Sequence, residues 1–379
     1  ATSRMAVLQH PEWQFYNIQY GSFAAPIISI KINARKRLFM ISKKKRKRKK
    51  LKVVFFFIDI ILLVLIGGLV YFFYLTSKAQ IDKSGDSSIV SNDIDSNDMK
   101  GYRNIAIFGV DSRDNELKKS THSDTIVIVS INKKTKDVKL LSIYRDTYVD
   151  IPDHGYDKIN AAYFRGGYPL ALSTINKNFD LDVKEYVTVN FDAVCKVIDL
   201  LGGINLDITK EELKYVNGYT KELNKINGTN VGKLKSAGSQ VVNGTHATAY
   251  ARIRYTKGGD FKRAERQRIV INKIFEKAKT CDILTLNSII NEIFPKIYTN
   301  LDSFEMLNLA KDIFSYNIVD QAGFPFEKVA DYYKKISYVF PVDLSANVTE
   351  LHKFLFDEQN YVPSSTVQEY SEFIKGIVK

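Results

Sequence analysis

Residues 104–144 read NIAIFGVDSRDNELKKSTHSDTIVIVSINKKTKDVKLLSIY. Three apolar runs of strand length stand out, at 104–110, 124–131 and 138–144, and the polar NKKTKDV between the last two supplies a hairpin turn. A fourth run, YVTVNF, follows at 186–191. Helical patterns lie between and after them, over Pro169–Phe179, Asp192–Leu201, Lys262–Lys279 and Ser303–Tyr316. Strands alternating with helices predict an α/β domain whose central sheet is covered on both faces. The hairpin makes part of that sheet antiparallel, so the sheet is mixed.

Upstream, VVFFFIDIILLVLIGGLVYFFYL at 53–75 carries one charge, Asp59. Its 23 residues make roughly 34 Å of helix, enough for a bilayer core of about 30 Å. The preceding KKKRKRKKLK places the N-terminus on the cytoplasmic side and the bulk of the chain outside. The apolar stretch exceeds the about 7–15 residues of a cleaved signal and no small-residue cleavage site follows it, so it reads as one N-terminal transmembrane anchor in the cell membrane.

The net charge of +13 does not signal nucleic acid. Residues 1–52 hold 14 Lys or Arg against one acid, Glu12, leaving 41 basic and 41 acidic residues beyond them. The basic excess is a short tail, and the external part is neutral. Met40, directly before ISKKKRKRKK, makes a natural start for that tail, with 1–39 expected to lie outside the native chain.

Residues 76–100 are polar and poor in large apolar groups, which predicts an unordered linker. The external domain is expected over 101–345, with 346–379 as a C-terminal extension. Residues 209–240, polar and glycine-containing, read as a mobile excursion near the site. Cys195 and Cys281 are too few for a disulfide scaffold or a structural zinc site, and Cys195 in FDAVCKVIDLLGG reads as a buried small hydrophobe.

Charged residues gather at the edges of the apolar runs. Asp111 and Asp124 bracket the loop between the first two strands, with Arg113 beside them. Arg145 and Asp146 follow the third strand, and Lys158 and Asn160 precede a helix. In ARIRY, Arg252 and Arg254 alternate as on a strand, so they face one side. After Gly258 and Gly259 a helix begins, with Asp260, Arg263, Arg266 and Gln267 on its first turns. Guanidinium forks from several segments suit a pyrophosphate, and carboxylates beside them suit a divalent cation bridging the same phosphates. Each element alone has a plain alternative, as a turn cap, a solvated corner or a wet helix face.

The ordered set GVDSRD, SDT, YRDTYVDIP, KINAAYFRGG, VVNGTHATAYARIRY and GGDFKRAERQ, behind one membrane helix, resembles the LytR-CpsA-Psr family of bacterial cell-wall enzymes over about residues 101–345. The resemblance implies a three-layer α/β/α sandwich with a hydrophobic tunnel for a lipid tail. It also implies transfer of a teichoic acid, capsule or similar polysaccharide from a polyprenyl pyrophosphate carrier to a peptidoglycan hydroxyl by phosphodiester formation. Asp111 and Asp124 then match Mg²⁺-linked aspartates, and Arg145, Arg252, Arg254, Arg263 and Gln267 match residues around the pyrophosphate. Lys158, Arg113 and Asp260 fall at motif positions, with Arg266 beside them. Asp124 or Asp260 is the expected general base. One departure is His122, where the family often has arginine; an imidazole is only partly charged at neutral pH, so phosphate binding at that corner is expected to be weaker.

Two rivals remain at the level of sequence. A protein that binds the lipid pyrophosphate, or hydrolyses it without transfer, would carry the same residues. A transcriptional attenuator of cell-wall genes is disfavoured, because the basic tail is too short to fold as a DNA-binding module and the neutral domain lies outside the cell.

Overall fold

The computed structural model describes residues 24–94, 98–110, 117–118 and 121–378. The chain divides into a unit over 1–71 and a second over 72–379. Helix α1 (Ala24–Thr76) runs unbroken through the basic stretch, because Lys and Arg are good helix formers. Its segment Phe55–Tyr74 is the one helix among the described residues long and apolar enough to cross a membrane, and large apolar side chains are exposed around it.

The second unit is built on a seven-stranded sheet. Its strands are β1 (Gln80–Ile81), β2 (Tyr102–Val110), β3 (Ser123–Asn132), β4 (Asp137–Ile143), β7 (Glu185–Asn190), β10 (Ile297–Thr299) and β11 (Asn317–Phe324). The two-stranded pairs β5 (Tyr148–Ile151) with β6 (Gly155–Lys158), β8 (Ile204–Ile208) with β9 (Gly238–Val242), and β12 (Lys328–Tyr333) with β13 (Ile336–Pro341) flank it. The order β1-β10-β7-β2-β3-β4-β11 mixes parallel and antiparallel neighbours, and β3 and β4 pair across the expected hairpin.

Alternation along β2 explains the layers. Ala106, Phe108 and Val110 join a core with α2 (Asn160–Phe179), α9 (Leu344–Phe356) and α10 (Ser365–Lys375). Ile105 and Ile107 face the other way, toward Ile271 and Phe275 of α6 (Gly259–Ala278) and Leu309 of α8 (Ser303–Lys311). Period two in the strand thus yields a three-layer α/β/α sandwich. A satellite core joins α3 (Phe191–Leu200), β8, β9, α4 (Lys210–Asn227) and α5 (Gly244–Ala251) to α6. Helix α7 (Ile283–Ile293) completes the set.

Three expectations change. Residues 76–94 are not a free linker: β1 pairs with β10, the Gly85 N–H donates to the Tyr168 hydroxyl at 2.9 Å, and the Asn92 amide donates to the Lys177 carbonyl at 2.8 Å. A segment without a core of its own orders by docking on a sheet edge that has one. Residues 346–378 are not an appendage, since Leu351, Leu355, Val367 and Ile374 belong to the main core. Residues 210–227 form α4, started by a capping box in which Thr209 and Glu212 bond each other's backbone.

Candidate active site

The site sits where β3 begins and β4 ends, ends that the antiparallel β3–β4 pairing brings to one rim. Asp124 stands at the start of β3, and Arg145 and Asp146 follow β4. Lys158 closes β6, and Asp260, Arg263 and Gln267 occupy the first turns of α6. That helix is entered through Gly258 and Gly259, both at positive φ, where a side chain would strain the turn.

Arg145 is the hub. It bonds Asp124, and its Nε lies 3.6 Å from Asp146 and 3.8 Å from Asp260. Burial works against its charge, but Asp124, Asp260 and Asp146 outweigh that and hold the guanidinium above its ordinary range. Arg254 approaches Asp124 at 3.9 Å and Asp260 at 3.8 Å. Arg263 pairs with Asp260 at 3.1 Å and donates to the Asp124 carbonyl at 3.1 Å. Lys158 pairs with Asp146 at 2.9 Å.

Arg263 is under-compensated. Burial, with repulsion from Arg145 and Arg254, overcomes the pull of Asp260 and Asp124 and brings its pKa down to about 10, and its Nε has no hydrogen-bond partner. Such a cation gains from an added anion.

Three spaces meet here. An apolar cavity of about 220 Å³ lies between sheet residues Ile107, Val187 and Val189 and helix residues Val194, Val270 and Ile271. Phe191 and Gln267 line it and also a pocket of about 160 Å³ walled by Arg252, Arg254, Arg263 and Asp124. Asp124 in turn lines an open pocket of about 530 Å³ with Arg145, Asp146, Lys158 and His122.

Not every expected residue joins this cluster. Asp111 and Arg113 lie outside the described residues. Arg252 and Arg254 do face one pocket, but from the end of α5 and the turn after it rather than from a strand. The Arg252 guanidinium lies over Phe191 and Tyr219, 5.7 Å from each ring. Asp260 lines neither polar pocket; it braces Arg145, Arg254 and Arg263 from behind.

Arg266 corrects the sequence reading. It is 2% exposed and donates to Glu212 at 2.8 Å, the Ile253 carbonyl at 3.2 Å and Thr256 at 2.8 Å. With each of its three nitrogens engaged inside the protein, it has no face for a phosphate and ties α6 to α4. Reading only the sequence missed Phe191, Tyr219 and Tyr255, which line the arginine pocket. The Thr209-x-x-Glu212 capping signal was the available clue that a helix carries Tyr219. Cys195 is buried against Thr248, and burial raises its thiol to about 11, as an inert core thiol requires.

The model of the LytR_cpsA_psr family matches residues 69–352. The chain belongs to this family. It is 32% identical over 203 residues to the polyisoprenyl-teichoic acid–peptidoglycan teichoic acid transferase TagU of Enterococcus faecalis, covering 52% of this chain and 59% of that protein. It is 30% identical over 240 residues to the corresponding transferase TagT of Bacillus subtilis, covering 62% of this chain and 71% of that one. A solved structure of the family protein YwtF (TagT) with bound octaprenyl pyrophosphate lipid superposes with a TM-score of 0.53 at 25% identity, covering 73% of this chain and 99% of that one. The chain spans about three fifths of the length of the Enterococcus relative.

Proposed function

We propose that this chain is a membrane-anchored phosphotransferase that moves a glycopolymer from a polyprenyl pyrophosphate carrier to a peptidoglycan hydroxyl. The supporting observation is the succession of an apolar cavity, an arginine pocket and an open polar pocket, joined by shared walls at Phe191, Gln267 and Asp124. An isoprenoid tail, a pyrophosphate and a saccharide have the same order of chemistries. The relatives' names point the same way.

In the proposed reaction the acceptor hydroxyl oxygen attacks the phosphorus that bears the saccharide. The bond from that phosphorus to the bridging oxygen breaks, and polyprenyl phosphate leaves with its electron pair while the proton of the attacking hydroxyl passes to the departing phosphate or to solvent. Arg145, Arg254 and Arg263 neutralise the charge that builds on the phosphoryl and leaving oxygens. A loose transition state asks little of a base, so positioning and charge carry the rate. The pyrophosphate bond supplies the driving force.

The donor set suits Mg²⁺, which takes one or two carboxylates and completes its shell with water and substrate phosphates. Asp124 offers such a carboxylate at the junction of both polar pockets, and among the described residues no cluster of three acidic, His or Cys groups competes as a closed metal cage. Asp124, with Asp111, would hold the ion, which when bound adds positive charge beside the phosphates. The lysine-rich flank of the apolar span supports an orientation with the N-terminus in the cytoplasm and the domain outside.

The test uses the full-length protein in detergent with Mg²⁺, a short-chain polyprenyl pyrophosphate saccharide and peptidoglycan fragments, analysed by mass spectrometry. A saccharide-phosphate adduct on the glycan, lost in Arg145→Ala and Asp124→Ala, is the expected result. Free saccharide phosphate without adduct would mean a hydrolase, and lipid binding without turnover would mean a carrier protein.

A further inference from the structure

We propose that the open pocket contains a pyranose-binding subsite at His122, whose ring is backed by the stacked Phe164, an inference that rests on the glycopolymer-transferase reading. The two rings come from separate elements, His122 from the residue before β3 and Phe164 from the first turns of α2. They lie flat against each other, with centroids 4.7 Å apart and planes 8° from parallel. His122 lines the pocket beside Thr121 and Asn160.

Phe164 is 44% exposed. A single exposed aromatic needs no explanation. One packed against an imidazole that lines the reaction pocket does, because the stack restrains the ring that meets the ligand.

The surroundings select the ligand class. The charged wall of the pocket is already internally paired, Arg145 with Asp124 and Lys158 with Asp146. The opposite chemistry comes from Thr121, His122 and Asn160, a hydroxyl, an imidazole and an amide that each both donate and accept hydrogen bonds. A sugar hydroxyl does the same, and the C–H face of a pyranose packs on an aromatic ring. The base of α2 is held in place, since the next residue, Arg165, pairs with Asp157. The subsite therefore holds a sugar ring beside Asp124, where the phosphoryl group changes hands.

The ring belongs either to the donor saccharide or to the acceptor glycan, and three measurements on full-length Phe164→Ala and Phe164→Trp separate them. These are the affinity for bare polyprenyl pyrophosphate, the affinity for the same lipid carrying a saccharide, and KM for a peptidoglycan glycan. Loss of the platform lowers sugar-dependent binding about three- to tenfold and leaves the bare lipid unchanged, while Phe164→Trp retains binding. If the donor sugar sits there, affinity for the saccharide lipid falls; if the acceptor does, KM rises. Equal losses for bare and saccharide lipid, or no change in any of the three, overturn the subsite. If the wild type transfers nothing, the transferase reading fails by itself, and the two lipid affinities still test the subsite: a loss confined to the saccharide lipid supports it, and any other pattern overturns it.

Discussion

Arg263 and Arg266 sit one turn apart on α6, 4% and 2% exposed, yet their surroundings differ in kind. Arg266 finds a carboxylate, a carbonyl and a hydroxyl, and is complete within the protein. Arg263 faces two other arginines, has a nitrogen without a partner and is held below its ordinary pKa. The difference teaches that burial of a guanidinium is not the mark of function. What marks it is charge that the protein has gathered and left incompletely matched.

The heaviest loss should fall on the satisfied side. Arg266→Ala strands Glu212 without its partner and should cost about 3–5 kcal/mol of stability, read by denaturant unfolding of the full-length protein. A variant as stable as the wild type but inactive would break the comparison, because it would give Arg266 a role in the reaction. At the pocket itself, Arg145→Ala should lower transfer about 10²–10³-fold while costing less stability than Arg266→Ala, because its carboxylate partners keep Lys158, Arg254 and Arg263.

Asp260→Asn sharpens the contrast further. Asp260 lines neither polar pocket and acts through Arg145, Arg254 and Arg263, so transfer should fall about tenfold, or roughly 1.4 kcal/mol, less than on removing an arginine. Conversion of Asp260→Asn to a null as deep as Arg145→Ala would mean that the carboxylate meets the reacting groups.

The smallest effect is in pH. The Arg263 guanidinium has its pKa depressed to about 10, so in the folded protein it sheds a proton as pH rises through that value while the unfolded chain keeps its own. Its burial penalty is present below that pH and relieved above it. A bound pyrophosphate favours the protonated form, so inorganic pyrophosphate should bind more weakly above pH 10, with proton uptake seen by calorimetry in two buffers. Arg263→Gln should remove the uptake.

Much of the fold was legible because strand and helix periods are local. The four apolar runs became β2, β3, β4 and β7 with ends shifted by one or two residues, and the NKKTKDV hairpin held. The errors came where order is borrowed. Residues 76–94 have few apolar side chains, but a sheet edge accepts them. ARIRY alternates like a strand, yet it follows an asparagine-capped helix whose Asn243 bonds the His246 N–H. Arg263 and Arg266 look alike in sequence, since both are arginines near a helix start. Only the position of Glu212, 54 residues from Arg266, separates them.

The apolar span with its basic flank, the alternating strands and helices, and the ordered acidic and basic motifs of the family can all be read along the chain. Those are properties of short windows and of spacing along the chain. The tertiary structure alone decided which arginines are matched and which are not, that Asp260 braces rather than faces the pockets, and that His122 lies flat on Phe164. Those depend on distances between residues far apart in the chain, and local sequence does not encode them.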